Sequence, residues 1–321
     1  MQVNLSDIDI DAVRNLDAEA AEILQSAVKA AARILARRKA MNAAGLVAEP
    51  LYVLAGETHL NPCEYIHHIL LLEALKQGGG AIVSGVEVDH DYYEKESASS
   101  VAQKGSDRYL YDSFDFAADC YDAGGAAYGR KTLFSYLANQ KRGKSIVPIF
   151  NDASCSPFDE LELDDEYARA AVKDLSINPK HVDVVSPEGL EIRNKVMLDI
   201  TTQLAAKRQR NIIYQLAGFY HVGGSAENVP EASMSAMLDK AQRQHFNIYT
   251  ARKPQGAYTP QCGEDIICHD IPVYEAFRRN ALKLMVDDDT GEYIRVPERE
   301  KEFVDTKLDV LGLSHLKPKS A

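Results

Sequence analysis

The amino-acid sequence predicts an α/β fold in which a mainly parallel sheet carries helices on both of its faces. Short apolar runs rich in β-forming residues alternate with segments of helical periodicity, which is typical of parallel strands joined by crossover helices. The chain has 321 residues, 45% of them hydrophobic, enough for one large domain or a domain with an appendage. We expect an N-terminal helical segment over 1–48, an α/β core over 49–252 and a C-terminal α+β extension over 253–321 packed on that core.

The first predicted helix runs from Asp17 to Met41, where alanine, isoleucine and leucine recur at helical spacing along one face. The apolar run 51–55 predicts the first buried strand, and Asn61-Pro62 then supplies an N-cap and a first-turn proline for the following helix. Further strands are predicted over 81–86, 145–150, 211–217 and 246–251. The strand–helix–strand units predict right-handed parallel crossovers.

Two segments do not fit this regular alternation. A Tyr/Asp-rich insertion at about 89–131 has no clean period, and it is expected either to form a lid or to cover the sheet edge with its tyrosines. In the C-terminal extension, 266–268 and 293–296 are expected to be edge strands or a β-ribbon.

Charge and composition argue against several classes of function. The chain has 36 Lys+Arg against 48 Asp+Glu, a formal charge of -12, whereas affinity for nucleic acid comes mainly from cations that neutralise phosphates. Neither a signal peptide nor an apolar stretch of about 18 residues is visible, and the five cysteines are scattered. We expect a cytoplasmic protein without a membrane span, and an effector exported by a dedicated secretion machine has the same pattern. The oligomeric state is not indicated.

Polar residues follow the predicted strands where each strand ends. Gly56-Glu57-Thr58-His59 closes the first strand, Glu87 follows the second, and Gly218-Phe219-Tyr220-His221 closes the strand over 211–217. The carboxyl ends of parallel strands lie at one edge of a sheet, where ligands bind. We therefore expect Glu57, His59, Glu87 and His221 to converge there.

These blocks, in their order and strand-end context, resemble the superfamily that holds the ChaN haem-binding lipoproteins, the Tiki/TraB metalloprotease-like proteins and the erythromycin esterases. The resemblance covers about residues 50–240 and rests on 56–59, 85–87, 191–197 and 218–221. It implies that an arginine or asparagine in the helix predicted from 187 to 208 faces the site. Arg193 is therefore a catalytic candidate, with Asn194 as the second choice.

The cluster of carboxylates and imidazoles predicts a hydrolase that activates water against an ester or amide bond in a small-molecule or peptide substrate. In a metal-dependent version, which the Tiki-like branch implies, His59, His221 and one of Glu57 and Glu87 bind Mn²⁺, Co²⁺ or Zn²⁺, and the other glutamate activates the water. In a metal-free version, which the erythromycin-esterase branch implies, His59 activates water directly while Glu87 and His221 position it. The sequence does not separate these two versions.

Two alternative functions belong to other classes. A haem-binding protein of the ChaN type would use Tyr220 beside His221, or a tyrosine of the insertion, as an axial ligand. The other alternative is a non-catalytic interaction module or secreted effector on the same fold, in which the acidic exterior meets a protein partner.

Overall fold

The computed structural model describes residues 4–57, 61–96, 106–123, 128–142, 144–156, 160–177, 181–223, 230–249, 266–268, 285–286, 293–294 and 297–318. Its strands are β1 (Leu51–Glu57), β2 (Ile82–Asp89), β3 (Ile146–Asp152), β4 (Ile212–Gly218), β5 (His245–Tyr249), β6 (Ile266–Cys268), β7 (Met285–Val286) and β8 (Tyr293–Ile294). Six of them form one sheet in the order β3-β2-β4-β1-β5-β6, and all its neighbouring pairs are parallel. The predicted α/β class is confirmed.

Helices occupy most of the remaining described chain. They are α1 (Ile10–Leu16), α2 (Ala18–Ala43), α3 (Pro62–Gln77), α4 (Tyr92–Glu96), α5 (Asp107–Ala123), α6 (Tyr128–Ala138), α7 (Glu166–Leu175), α8 (Pro187–Lys207), α9 (Phe219–Gly223), α10 (Met234–Lys240) and α11 (Pro297–Val310). None of the described helices combines the length and the apolar composition that a membrane span requires.

Local sequence signals explain where the helices beside the site begin. The side chain of Asn61 accepts a hydrogen bond from the Cys63 N–H at 3.2 Å, and Pro62 is the first residue of α3. Ser186 caps α8 in the same way, accepting from the Gly189 N–H at 3.0 Å. Both helices therefore start at the carboxyl edge of the sheet, where the parallel strands end.

The crossover helices lie on two faces of the sheet. Helices α3, α6 and most of α5 pack on one face, against alternate strand residues such as Val53 and Val86. Helices α8 and α10 pack on the other face, against residues such as Leu54 and Val83. We call these the α3 face and the α8 face. The chain leaves β2 toward the α3 face and leaves the neighbouring β4 toward the α8 face. In open α/β sheets, ligands bind near strand ends where the connections diverge in this way.

The insertion predicted at 89–131 forms part of this layered structure. Helices α5 and α6 bury Phe114 and Phe134 completely, and the rings of Tyr109 and Tyr111 are buried as well. These residues therefore support the interpretation in which the insertion covers the sheet. Helix α5 packs against both the α3-face and the α8-face clusters.

The C-terminal extension contributes to the sheet and to the helical layer. β6 pairs with β5 as an edge strand, and β7 pairs with β8 as an antiparallel ribbon, which confirms the strands predicted there. Helix α11 packs against α3 and α6, and its Lys307 ammonium contacts Asp17 and Glu19 at the start of α2. The three-part division of the chain stays a prediction.

Replacing Tyr214 with phenylalanine tests the buried hydrogen bond between Tyr214 and His68 on the α3 face of the sheet. The Tyr214 hydroxyl lies 2.6 Å from His68 Nδ1, and both side chains are fully buried. Removing the hydroxyl deprives the imidazole of this partner, so we expect the free energy of unfolding to fall by about 1–3 kcal/mol in urea titrations. Tyr220→Phe removes the same atom from a side chain that is 55% exposed and should change stability by less than about 0.5 kcal/mol. Equal losses in the two variants would contradict this account.

Candidate functional site

An open cleft of about 420 Å³ lies at the carboxyl ends of β2 and β3. It is lined by Glu87, Val88, Asp89, Tyr92, Arg130, Asp152 and Arg193. The lining combines three carboxylates with two guanidinium groups. This is the strand edge at which the sequence predicts a site.

Arg193 connects two of these carboxylates from its position on α8. Its Nε donates to Asp152 Oδ1 at 3.1 Å, and its Nη2 donates to Glu87 Oε1 at 2.8 Å. Burial by itself lowers the pKa of this guanidinium, but the charges of Asp152 and Glu87 outweigh burial and raise the pKa above its ordinary value. Arg193 is therefore a permanent cation. Its Nη1 meets only the Val184 carbonyl, at 3.5 Å, among the described residues, which leaves donor capacity for a ligand.

His221 holds Glu87 from the other side. His221 Nε2 lies 3.0 Å from Glu87 Oε1, and Nδ1 lies 2.6 Å from Asn194 Oδ1. The Asn194 amide nitrogen donates to the Ala232 carbonyl at 2.7 Å, which fixes the amide so that its oxygen faces the ring. Both ring nitrogens therefore face oxygen atoms of the protein. In this arrangement His221 orients Glu87, and both of its ring nitrogens are in contact with protein side chains.

Glu87 is an anchor rather than a free base. Its Oε1 accepts from Arg193 and His221, and its Oε2 accepts from the backbone N–H of Gly218 at the end of β4. Both carboxylate oxygens are thus engaged by protein donors. The contacts join β2, β4 and α8 at one point.

Asp89 is placed in the cleft by a bulge in β2. Val86 pairs with Phe150 and Asp89 pairs with Asp152, so three steps along β2 match two steps along β3. The extra residue re-aims the strand end and sets the Asp89 carboxylate near that of Asp152. Bulges of this kind are common beside active sites.

The Asp89 carboxylate differs from its neighbours because one of its oxygens is open. Its Oδ2 accepts from the Cys155 N–H at 3.2 Å and lies 4.0 Å from the Lys95 ammonium, whereas Oδ1 has no hydrogen-bond partner among the described residues. Burial raises the pKa of Asp89 to about 6, and the negative charge of Asp152 works in the same direction. Asp89 therefore exchanges its proton close to neutral pH, which suits a general acid or base.

Two other groups near the cleft have structural roles. Burial, together with the charges of Asp89 and Asp152, raises the pKa of the Cys155 thiol to about 12, so it is not a thiolate nucleophile at neutral pH. His90 contacts both Ser154 and Asp165, but both contacts are to Nε2, at 3.2 and 3.0 Å. A catalytic triad needs its serine and aspartate on opposite ring nitrogens, so this set ties β2 to the start of α7.

Glu57 and Glu87 leave the sheet on opposite faces. Glu57 continues the alternation of Val53 and Ala55 toward the α3 face, where it is hydrogen-bonded to Tyr65. Burial first, and then the Glu57 charge, raise the pKa of Tyr65 well above its ordinary value. Glu87 points to the α8 face. Arg130 lies between the two groups, because it donates to the Glu87 carbonyl at 3.0 Å and also acts electrostatically on Tyr65.

The structure therefore brings together three of the predicted site residues, Glu87, Arg193 and His221. His59 lies outside the described residues, and its role stays a prediction. Tyr220 is on α9 with its ring 55% exposed, and it does not line the cleft. In the described part of the chain, no three His, Cys, Asp or Glu side chains are grouped so that they could hold a metal ion. The ligand set of His59, His221, Glu57 and Glu87 likewise stays a prediction.

Asp89 and Arg130 line the cleft although the sequence did not indicate them as site residues, and Asn194, the second choice beside Arg193, contacts the His221 ring. Asp89 depends on a bulge, and Arg130 depends on how α6 packs, and neither has a local sequence signal. Asp152 follows the strand predicted over 145–150, so the strand-end rule that selected Glu87 places it at the same edge.

Comparisons with known proteins give only weak likenesses. No family model matches the sequence, and no curated protein matches it. The structure of the type III effector HopBA1 has a TM-score of 0.35 and 14% identity, over 68% of this chain and 87% of the effector. The structure of ChaN of Campylobacter jejuni, which binds haem cofacially, has a TM-score of 0.29 and 10% identity, over 66% and 85%. Likenesses of this strength carry no argument about function, and the Tiki and erythromycin-esterase branches gain no support from them.

Replacing Arg193 with methionine tests its place between the two carboxylates. The change leaves Glu87 and Asp152 buried without their shared cation, so we expect a loss of about 3–5 kcal/mol in the free energy of unfolding, measured in urea. Lys95→Met is the matched control, because Lys95 also meets several carboxylates but is 33% exposed. It should cost no more than about 1 kcal/mol. A loss of that small size in Arg193→Met would show that the guanidinium is not what holds the site together.

Replacing Asp89 with asparagine should stabilise the protein in a pH-dependent way. The pKa of Asp89 is raised from 3.8 to about 6, so ionisation in the folded protein is unfavourable and its cost develops as pH rises from about 4 to 6. Asp89→Asn removes this cost. We expect the variant to match the wild type near pH 4 and to exceed it by about 1–2 kcal/mol above pH 6, in urea titrations across that range. Asp91→Asn, which removes a partner of Lys95, should show no such gain.

Proposed function

We propose that the cleft is the active site of a hydrolase that cleaves an ester or amide bond in a small-molecule or peptide substrate. The observation that carries the proposal is the Asp89 carboxylate, with its open oxygen and a pKa of about 6, in a cleft that Arg130 and Arg193 also line. A base that titrates near neutral pH next to fixed cations is the combination that water activation requires.

The reaction proceeds in two proton transfers. Asp89 Oδ1 accepts a proton from a water molecule as the water oxygen attacks the substrate carbonyl. Negative charge then develops on the carbonyl oxygen, and the guanidinium groups of Arg130 and Arg193 are the donors that stabilise it. When the intermediate collapses, protonated Asp89 returns the proton to the leaving alcohol or amine. The products are a carboxylic acid and that alcohol or amine, and Asp89 is restored.

The residues around Arg193 have positioning roles in this scheme. Asp152 and Glu87 fix the plane of the guanidinium, and His221 fixes Glu87 through its Nε2. This division of roles moves the proton acceptor from the predicted His59 to Asp89. His59, which the sequence predicts as the base, is the second candidate.

Haem binding and a purely non-catalytic role are not part of the proposal. Tyr220, one of the axial ligands predicted for haem, is exposed and does not line the cleft. Of the tyrosines of the insertion, which were the other prediction, Tyr92 lines the cleft. A solvated interaction surface would not need a half-buried carboxylate whose ionisation is unfavourable.

The activity is tested with a panel of p-nitrophenyl esters and peptide p-nitroanilides. We expect the wild type to hydrolyse members of the panel with a kcat/KM that falls below about pH 6, where Asp89 becomes protonated. Asp89→Asn should lower kcat/KM by about 10²–10⁴-fold, since general-base catalysis contributes that much. Asp91→Asn should stay within about threefold, because Asp91 contacts Lys95 and does not line the cleft.

Two further experiments test which residue is the base and whether the reaction depends on a metal ion. If His59→Ala abolishes activity while Asp89→Asn retains it, the base is His59 and the proposal for Asp89 is wrong. Activity that is lost on dialysis against EDTA and restored by Mn²⁺, Co²⁺ or Zn²⁺ would establish the metal-dependent version. A wild type that is inactive on every probe, with and without these ions, would argue against a hydrolase of this substrate class.

A further inference from the structure

Arg130 enters the cleft from the first turn of α6. It is the third residue of this helix, and its Nη2 donates to the Glu87 carbonyl at 3.0 Å. Its guanidinium carbon lies 5.7 Å from the centre of the Phe134 ring, one turn further along the same helix. The position of the Arg130 head group therefore depends on where α6 begins.

The two residues before Arg130 are both held by α11. The backbone N–H of Gly129 donates to Glu300 Oε1 at 3.0 Å, and the Tyr128 hydroxyl donates to Asp305 Oδ1 at 3.1 Å. Glu300 is buried, and the Lys301 ammonium lies 5.2 Å from the centre of the Tyr128 ring. A carboxylate that accepts a first-turn N–H stabilises a helix start, and here the carboxylate comes from another helix.

The first turn of α6 is also closely packed on the side of α3. A methyl group added at Gly129 would lie 2.9 Å from Tyr65 Cδ2 and 3.0 Å from Pro62 Cα, so only glycine fits without a shift. The turn is thus confined between the start of α3 and the inner side of α11. The contacts with α11 are therefore part of what fixes the position of Arg130.

Helix α11 is itself firmly anchored. Lys307 contacts Asp17 and Glu19 at the start of α2, and Leu308 and Leu311 are buried in the α3-face cluster. The contacts on α6 and those on α2 involve different residues of α11. They can therefore be removed separately.

We infer that α11 positions Arg130 for the reaction, through the bonds of Glu300 and Asp305 to the first turn of α6. Glu300 and Asp305 touch neither the cleft nor a reacting atom, so they are positioning residues. The inference rests on the proposed hydrolysis, because that proposal is what gives Arg130 a function in the reaction.

The test is a double-mutant cycle between Glu300 and Arg130. Glu300→Ala should lower kcat/KM by about tenfold in the wild-type background, since displacement of a catalytic donor by a fraction of an ångström is costly. In the Arg130→Met background the same change should have an effect of less than about twofold, because the group it positions is gone. Glu300→Gln, whose amide oxygen still accepts from Gly129, should restore most of the activity. Equal factors in both backgrounds would show that Glu300 acts on stability alone, and would overturn the inference.

Lys307→Met is the matched control on the same helix, since it loosens the contacts with α2 and spares those with α6. It should change kcat/KM by less than about threefold. Hydrogen exchange provides a readout that does not need activity: amides at 128–133 should exchange about tenfold faster in Glu300→Ala and unchanged in Lys307→Met. Unchanged exchange at 128–133 in Glu300→Ala would overturn the inference even if the enzyme is active. Faster exchange in a protein that is inactive on every probe would place the failure in the proposed function instead.

Discussion

The site depends on one interaction, the bridge that Arg193 makes between Asp152 and Glu87. The three residues come from α8, β3 and β2, so the guanidinium fixes the relative position of a helix and two strand ends. Neutralising two carboxylates with one buried cation is costly in desolvation and is favourable only when the hydrogen bonds are complete. The hydrogen bonds of the bridge are complete because Arg193 Nε and Nη2 donate to the two carboxylates and His221 contacts Glu87 from the other side. The rest of the cleft is built around that rigid unit.

Asp89 differs from the other carboxylates of the cleft because it is not part of the bridge that Arg193 makes with Asp152 and Glu87. Its neighbours Asp152 and Glu87 are neutralised by Arg193, whereas within the described part of the chain Asp89 accepts from the Cys155 N–H and lies 4.0 Å from the Lys95 ammonium. The same cleft thus contains two carboxylates that are paired with a cation and one, Asp89, whose ionisation is made unfavourable by burial. Separation of roles between similar groups through their environments is a common basis for acid–base chemistry at neutral pH. An unfavourably ionised residue also reduces stability, a cost that natural proteins accept mainly where function requires it.

Much of this organisation could be predicted from the sequence, because buried parallel strands and helix caps leave local signals. The run ending at Glu57 and the Asn61-Pro62 pair located β1 and α3, and the strand-end rule located Glu87 and His221. The sequence could not show that β4 lies between β1 and β2, or that Glu57 and Glu87 point to opposite faces. Those features depend on strand order and on which crossover helix covers each face. The bulge that places Asp89 and the packing that places Arg130 are likewise tertiary effects.

The bond between Lys307 and Asp17 joins residues 290 positions apart in sequence. Closing so long a loop is entropically expensive and is rewarded only after the intervening sheet has formed, so contacts of this kind develop late in folding. Helix α11 is then expected to dock onto a core that is already assembled. A molecule arrested just before this event would have native strands and a native Arg193 bridge, yet its α6 would lack the support of Glu300. We therefore expect the sheet to form before the cleft is complete.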